Sequence, residues 1–176
     1  MKKLLLILLV TLIVLSITAC GKTIKTDDGE ISLKDGEVEI KTEDGSTTVE
    51  DGKITFEGED GSAVLEASED GVDLPDGFPQ DLVPIIDDSI ILMAIGGNDE
   101  GGEEYSITAL TNTEVKDVVD FYKDIMSDAE DSTTVAAGDM NIFAGLKNGI
   151  HVTITISPTD EDEYKAMISI ITVREE

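Results

Sequence analysis

Between residues 28 and 71 the dipeptide Asp-Gly occurs six times, at Asp28-Gly29, Asp35-Gly36, Asp44-Gly45, Asp51-Gly52, Asp60-Gly61 and Asp70-Gly71, spaced by 7, 9, 7, 9 and 10 residues. Both central residues of a type I′ turn need positive φ, which Asp and Gly tolerate, so the series predicts consecutive hairpins. Apolar residues between the turns fall two apart: Ile31 and Leu33, Val38 and Ile40, Ile54 and Phe56, with Thr47 and Val49 a weaker pair. Period-two spacing puts them on one face of each strand. The other face carries Glu30, Ser32 and Lys34, then Glu37, Glu39 and Lys41, all suited to water. A ribbon with one thin apolar face is not stable alone. It either coils into a small β-solenoid or lies as a hairpin meander with that face on the rest of the chain. Gly and charge in this stretch also suit an acidic stalk, against which the apolar pairing argues.

Residues 74–84, Leu74-Pro75-Asp76-Gly77-Phe78-Pro79-Gln80-Asp81-Leu82-Val83-Pro84, hold three of the four prolines. Proline lacks the N–H that helix interiors and central strands use, so 74–88 reads as a Pro-rich joint. Strands follow over 89–95 and 104–110 with a loop at 96–102. Thr111-Asn112-Thr113-Glu114 has capping-box spacing, and Val115, Val118, Val119, Tyr122, Ile125 and Met126 recur on one helical face. Further strands are expected over 132–136, 140–147, 150–157 and 165–174, with a type I′ turn at Asn148-Gly149. This order predicts an α+β fold: an N-terminal β-repeat, then an antiparallel sheet covered by one helix.

The N-terminus constrains location. Lys2 and Lys3 precede a nearly unbroken apolar run, and Ile17-Thr18-Ala19-Cys20-Gly21 ends it with small residues around the only cysteine. Leu4 to Ala19 is 16 residues, short of the roughly 20 that span a bilayer, and the three-part layout is that of an export signal. These residues resemble the signal peptide and lipobox of bacterial lipoproteins. The resemblance implies cleavage before Cys20 by signal peptidase II and a diacylglycerol thioether on Cys20, the one lipidation site. Two acyl chains hold a protein on a membrane stably, at about 0.8 kcal/mol per buried methylene. Gly21 lacks the aspartate that goes with inner-membrane retention in such lipoproteins where there are two membranes.

The C-terminal part has a second resemblance, carried by Leu74-Pro75-Asp76-Gly77-Phe78-Pro79 and Val119-Asp120-Phe121-Tyr122-Lys123-Asp124-Ile125-Met126. These residues look like small α+β domains of uncharacterised bacterial lipoproteins, in which a Phe-Tyr helix packs on a sheet. Ala129-Glu130-Asp131 stands where those domains often carry Gly-Trp. The resemblance implies fold and location and brings no catalytic residue. The segments are then a signal peptide at 1–19, an acidic β-repeat region at 20–73, the joint at 74–88 and an α+β domain at 89–176.

Charge excludes one partner class. Removing Lys2 and Lys3 from the 12 basic residues leaves 10 against 39 acidic ones, a net charge of −29. Such a chain repels nucleic acid, which is bound through Lys and Arg clusters. Lys22 and Lys25, beside the anchor, favour an anionic surface by about 1 kcal/mol each. With Cys20 as the only cysteine there is no disulfide framework.

Catalytic residues are scarce. His151 is the only histidine and shares a polar strand face with Thr153 and Thr155. Zinc needs several His or Cys ligands, and a glycosidase cleft usually has aromatic walls, whereas the seven aromatics include no Trp. Neither enzyme activity nor a cofactor is expected. The acidic clusters Asn98-Asp99-Glu100, Glu103-Glu104, Asp87-Asp88 and Asp160-Glu161-Asp162-Glu163 raise the alternative of a small-ligand or calcium binder, although none has EF-hand or β-roll spacing. The favoured expectation is a lipid-anchored protein on the extracytoplasmic side of the cell membrane, non-enzymatic and presenting a surface to an envelope protein or cell-wall component.

Overall fold

The structure, a computed structural model, describes residues 22–26, 29–34, 37–42, 44–50, 52–58, 61–99, 102–161 and 163–175. Its strands are β1 (Lys22–Thr26), β2 (Gly29–Lys34), β3 (Glu37–Thr42), β4 (Gly45–Glu50), β5 (Lys53–Gly58), β6 (Gly61–Ala67), β7 (Ser89–Asp99), β8 (Gly102–Thr111), β9 (Glu130–Ala137), β10 (Met140–Lys147), β11 (Ile150–Pro158) and β12 (Ala166–Glu175). The helix α1 (Val115–Ile125) lies between β8 and β9. All twelve strands form one antiparallel sheet in the order β1-β2-β3-β4-β5-β6-β7-β8-β12-β11-β10-β9.

The register explains the alternating 7- and 9-residue spacing. Lys34 pairs with Glu37 and Glu50 with Lys53, so there Asp-Gly forms the two-residue connection. Thr26 pairs with Gly29, Thr42 with Gly45 and Gly58 with Gly61, so there the glycine opens the next strand. One hairpin pair therefore repeats every 16 residues, as Asp28, Asp44 and Asp60 do. Gly45 shows why the second kind needs glycine. Its φ is 151°, and a Cβ there would run into the Glu57 carbonyl oxygen on β5. The 70–71 pair makes no hairpin. It turns the chain off β6, and the Val72 N–H then donates to the Ile91 carbonyl at 2.8 Å.

The α+β expectation is overturned: the described chain is nearly all β, with one 11-residue helix. The β-repeat continues into the C-terminal sheet through β6 and β7, where Leu65 pairs with Ile95 and Ala63 with Gly97. The junction is hidden in Gly96-Gly97, which reads as a loop by composition yet lies inside β7. A Cβ on Gly96 would sit 2.8 Å from the Pro75 Cβ, and one on Gly97 3.0 Å from the Ser62 carbonyl oxygen. The glycines thus permit close approach of neighbouring chain. The repeat is a meander, with each strand paired to the next in sequence.

The expected capping box does not form. Thr111 is buried at the end of β8, where its Oγ1 accepts from the Thr113 N–H at 3.2 Å. The helix starts after Glu114, which makes no side-chain cap and instead pairs with Lys165 at 2.7 Å. At the other end the Lys147 ammonium donates to the Ile125 carbonyl and reaches Asp128 at 2.5 Å, placing a cation where a helix C-terminus favours one.

The core sits on one side of the C-terminal half, termed here the front face. Ile107, Val152, Ile154, Ile156, Ile168 and Ile170 pack beneath Val118, Tyr122 and Met126 of α1 and its last turn. Residues 72–86 cover the rest: Phe78 and Val83 are buried, and Val72, Leu74, Leu82, Ile85 and Ile86 pack against them. Phe78 meets Tyr105 edge-on at 6.0 Å, and the Ile86 N–H donates to the Tyr122 hydroxyl at 3.4 Å. Burial pushes the Tyr122 phenol up to about 12.

Candidate interaction surface

The apolar residues of β2–β6 do not face this core. Register and alternation carry Ile31, Ile40, Thr47, Phe56 and Ala63 along one row to Gly97, and Leu33, Val38, Val49, Ile54 and Leu65 along the next to Ile95. Opposite Ile95 on β8 is Ser106, followed across the sheet by Ile171, Thr153 and Ala144. These residues form the back face, opposite the buried Ile107 and Ile170. The repeat turns its carboxylates, Glu30, Glu37, Glu39, Glu50, Glu57 and Glu66, to the front.

Six large hydrophobic side chains are exposed among the described residues: Ile54, Phe56, Val135, Met140, Met167 and Ile171. All six lie on the back face. Across β2 to β8 the carboxylates among the described side chains on this face are Glu104 on β8 and Asp44 of the β3–β4 connection, two in a chain with 39 acidic residues. On β2–β7 this is an apolar surface from which charge is largely withheld, the mark of an interaction site rather than of scattered surface hydrophobes, while Ser106, Thr108, Ser169, Thr153 and Thr155 separate it from Val135 and Met140. Phe56 is 47% exposed, and beside it lies a groove of about 750 Å³ whose floor is Ala63, Gly97, Ile95 and Ser106. The groove exists because the row next to the phenyl ring has almost no side chain.

Two other hollows are polar. One of about 760 Å³ lies between Glu50, Lys53 and Glu66 and the 68–73 turn. The other, about 630 Å³, lies under Leu74, Pro75 and Asp76 against Lys53, Glu66 and Tyr105. Their central charges satisfy each other: Lys53 and Glu66 pair at 2.8 Å, and the hydrogen bond that the Lys53 ammonium donates to the Glu66 carboxylate holds the Lys53 pKa above its ordinary value. Burial likewise raises the Tyr105 phenol.

The other residues singled out from sequence do not converge. Cys20 lies outside the described residues. His151 is exposed on the back face opposite Val173, whereas the buried Thr172 hydroxyl is on the front, so the sheet itself separates them. Glu103 pairs with Arg174 at 2.8 Å and Glu104 points to the other side, because successive strand residues alternate. Among the described residues no three His, Cys, Asp or Glu side chains come together as metal ligands, and no helix is long and apolar enough to cross a membrane. Sequence spacing alone marked the apolar pairs of the repeat, but not the side of the sheet they would occupy.

No protein-family model, curated protein or solved structure matches this chain.

Proposed function

We propose that this protein is a lipoprotein anchored through Cys20 on the extracytoplasmic side of the cell membrane, acting without catalysis by presenting the back face of its sheet to an envelope component. The observation that carries the reading is that the six large hydrophobics exposed among the described residues share one face that carries little charge. The anchor suits that role. Cys20 is two residues before β1 in the sequence, so a lipid on it would tether the chain next to the first strand. Acidic side chains on the front keep the body in water and repel nucleic acid and anionic headgroups.

A photo-reactive residue at position 56, compared with one at 57, tests the reading in cells. The two are neighbours on β5 with opposite faces, so crosslinks to envelope material from 56 and not from 57 are expected. Equal crosslinking from both, or none from 56, would overturn it. Cys20→Ser should move the protein from the membrane fraction or leave it unprocessed, and unchanged fractionation and mass would remove the anchor from the proposal.

A further inference from the structure

We infer that the occupant of the back face is a second copy of this chain, packed sheet on sheet with each Phe56 seated in its partner's Ala63–Gly97 trough. The inference rests on the back face being an interaction surface. Phe56 pairs with Ala63, and Ala63 with Gly97, so knob and hole lie on one row, one to two strands apart. A twofold axis parallel to the strands, between β5 and the trough, exchanges them while keeping the row. Each copy then gives a ring and receives one, as a closed symmetric contact requires.

The same axis lays β1–β4 of one copy over β8, β12 and β11 of the other. Ten overlapping strands, at about 4.8 Å per strand and about 3.3 Å per residue over six residues, cover about 900 Å² per copy. A stable interface needs about 800 Å² per partner. The contact also supplies what the repeat lacks, because no described side chain of β1–β6 is buried and a sheet of this kind reaches stability by packing a second layer on its apolar face. Glu104, further along the row, comes over Thr47, whose hydroxyl can donate to it. Asp44 rims the trough itself, whereas Glu30, Glu37, Glu39, Glu50, Glu57 and Glu66 point away from the partner. Repulsion between two copies of the chain without Lys2 and Lys3, each of net charge −29, is long-ranged and screened by salt, so this association tightens with ionic strength, opposite to a contact made by ion pairs.

Sedimentation equilibrium of residues 22–176, which contain the whole sheet and core, provides the test at about 0.05 M and about 0.5 M salt. A doubled mass, with tighter association at the higher salt, is expected. Phe56→Lys should weaken the dimer about a hundredfold by placing a charge in an apolar seat, with the melting temperature of the monomer unchanged. Ala63→Leu, which fills the hole from the other side, should weaken it as well, while Glu57→Lys on the front should not. A monomer at about 100 µM at both salts, or a dimer indifferent to Phe56→Lys, overturns the inference. If the chain is monomeric while position 56 crosslinks a different envelope component in cells, the copy-on-copy contact fails and the interaction reading stands. No crosslink from position 56 together with a monomer in solution removes both.

Discussion

β1–β6 and β7–β12 belong to one sheet, yet the repeat turns its apolar pairs to the back while the C-terminal strands bury their largest apolar cluster at the front and leave only Val135, Met140, Met167 and Ile171 exposed at the back among the described residues. In the C-terminal half Ile154, Ile168 and Ile170 point to the front, where α1 and residues 72–86 exclude water, and each is 0–1% exposed. In the repeat Ile54 and Phe56 point to the back and remain 39% and 47% exposed. Both halves obey the same period-two rule, so composition does not separate them. What differs is the second layer. An apolar strand face demands cover, and this chain meets the demand in one half only.

The contrast can be broken most severely from the covered side. Val118→Asp puts an unpaired charge at a position with no exposure; a loss of about 3–5 kcal/mol is expected, read as unfolding or a collapse of the melting temperature. A melt near wild type would show that α1 does not seal the core. The same substitution in the two halves gives a sharper measure. Ile154→Ala should cost about 2–5 kcal/mol and Ile54→Ala in the monomer less than about 1 kcal/mol, both measured by denaturant titration. Equal costs would mean that the repeat carries a buried core of its own.

Gly45→Ala addresses the repeat's backbone. The new methyl would meet the Glu57 carbonyl oxygen, at a φ that side chains rarely adopt. A loss of about 1–3 kcal/mol is expected, appearing in hydrogen exchange as faster opening of β4 and β5 while β11 and β12 keep their protection. Uniform loss across the sheet would show that both halves open as one unit. The smallest effect is alkaline. Burial raises the Tyr122 phenol to about 12 from 10, so the unfolded chain loses its proton first and folding is penalised as pH climbs through that window. The contribution is whole below pH 10 and declines above it, by about 1 kcal/mol at pH 11. Tyr122→Phe should remove most of this alkaline decline, leaving the smaller share from the Tyr105 phenol, which burial also raises. A decline of the same depth in that variant would assign it to other groups.

Much of the local structure was readable from residues alone. Ile150, Val152, Ile154 and Ile156 alternate and are all buried on β11. Asn148 and Gly149 have φ of 49° and 80°, as a type I′ turn requires. Errors arose where a residue's role was set by a distant neighbour. Gly96 and Gly97 looked like a break because glycine usually marks one, but they lie in β7 to admit Pro75 and the Ser62 backbone. Thr111 looked like a helix cap, but its hydroxyl is held at the end of β8. Phe78 and Val83 lie among prolines, and only the packed chain reveals them as core.

For the candidate surface, spacing identified Ile31, Leu33, Val38, Ile40, Ile54 and Phe56 as a shared apolar face and the glutamates between them as its reverse. Alternation along a strand follows from covalent geometry, so residue order alone sets that division, along with the hairpin connections and the acidic excess. Which side of the sheet would be covered depends on where α1 and residues 72–86 come to rest, and that is a matter of contacts between residues far apart in the chain. It takes the folded chain to join the repeat and the C-terminal strands in one sheet, to turn the repeat's apolar pairs away from the buried core, and to leave the six large hydrophobics exposed among the described residues on the uncovered face.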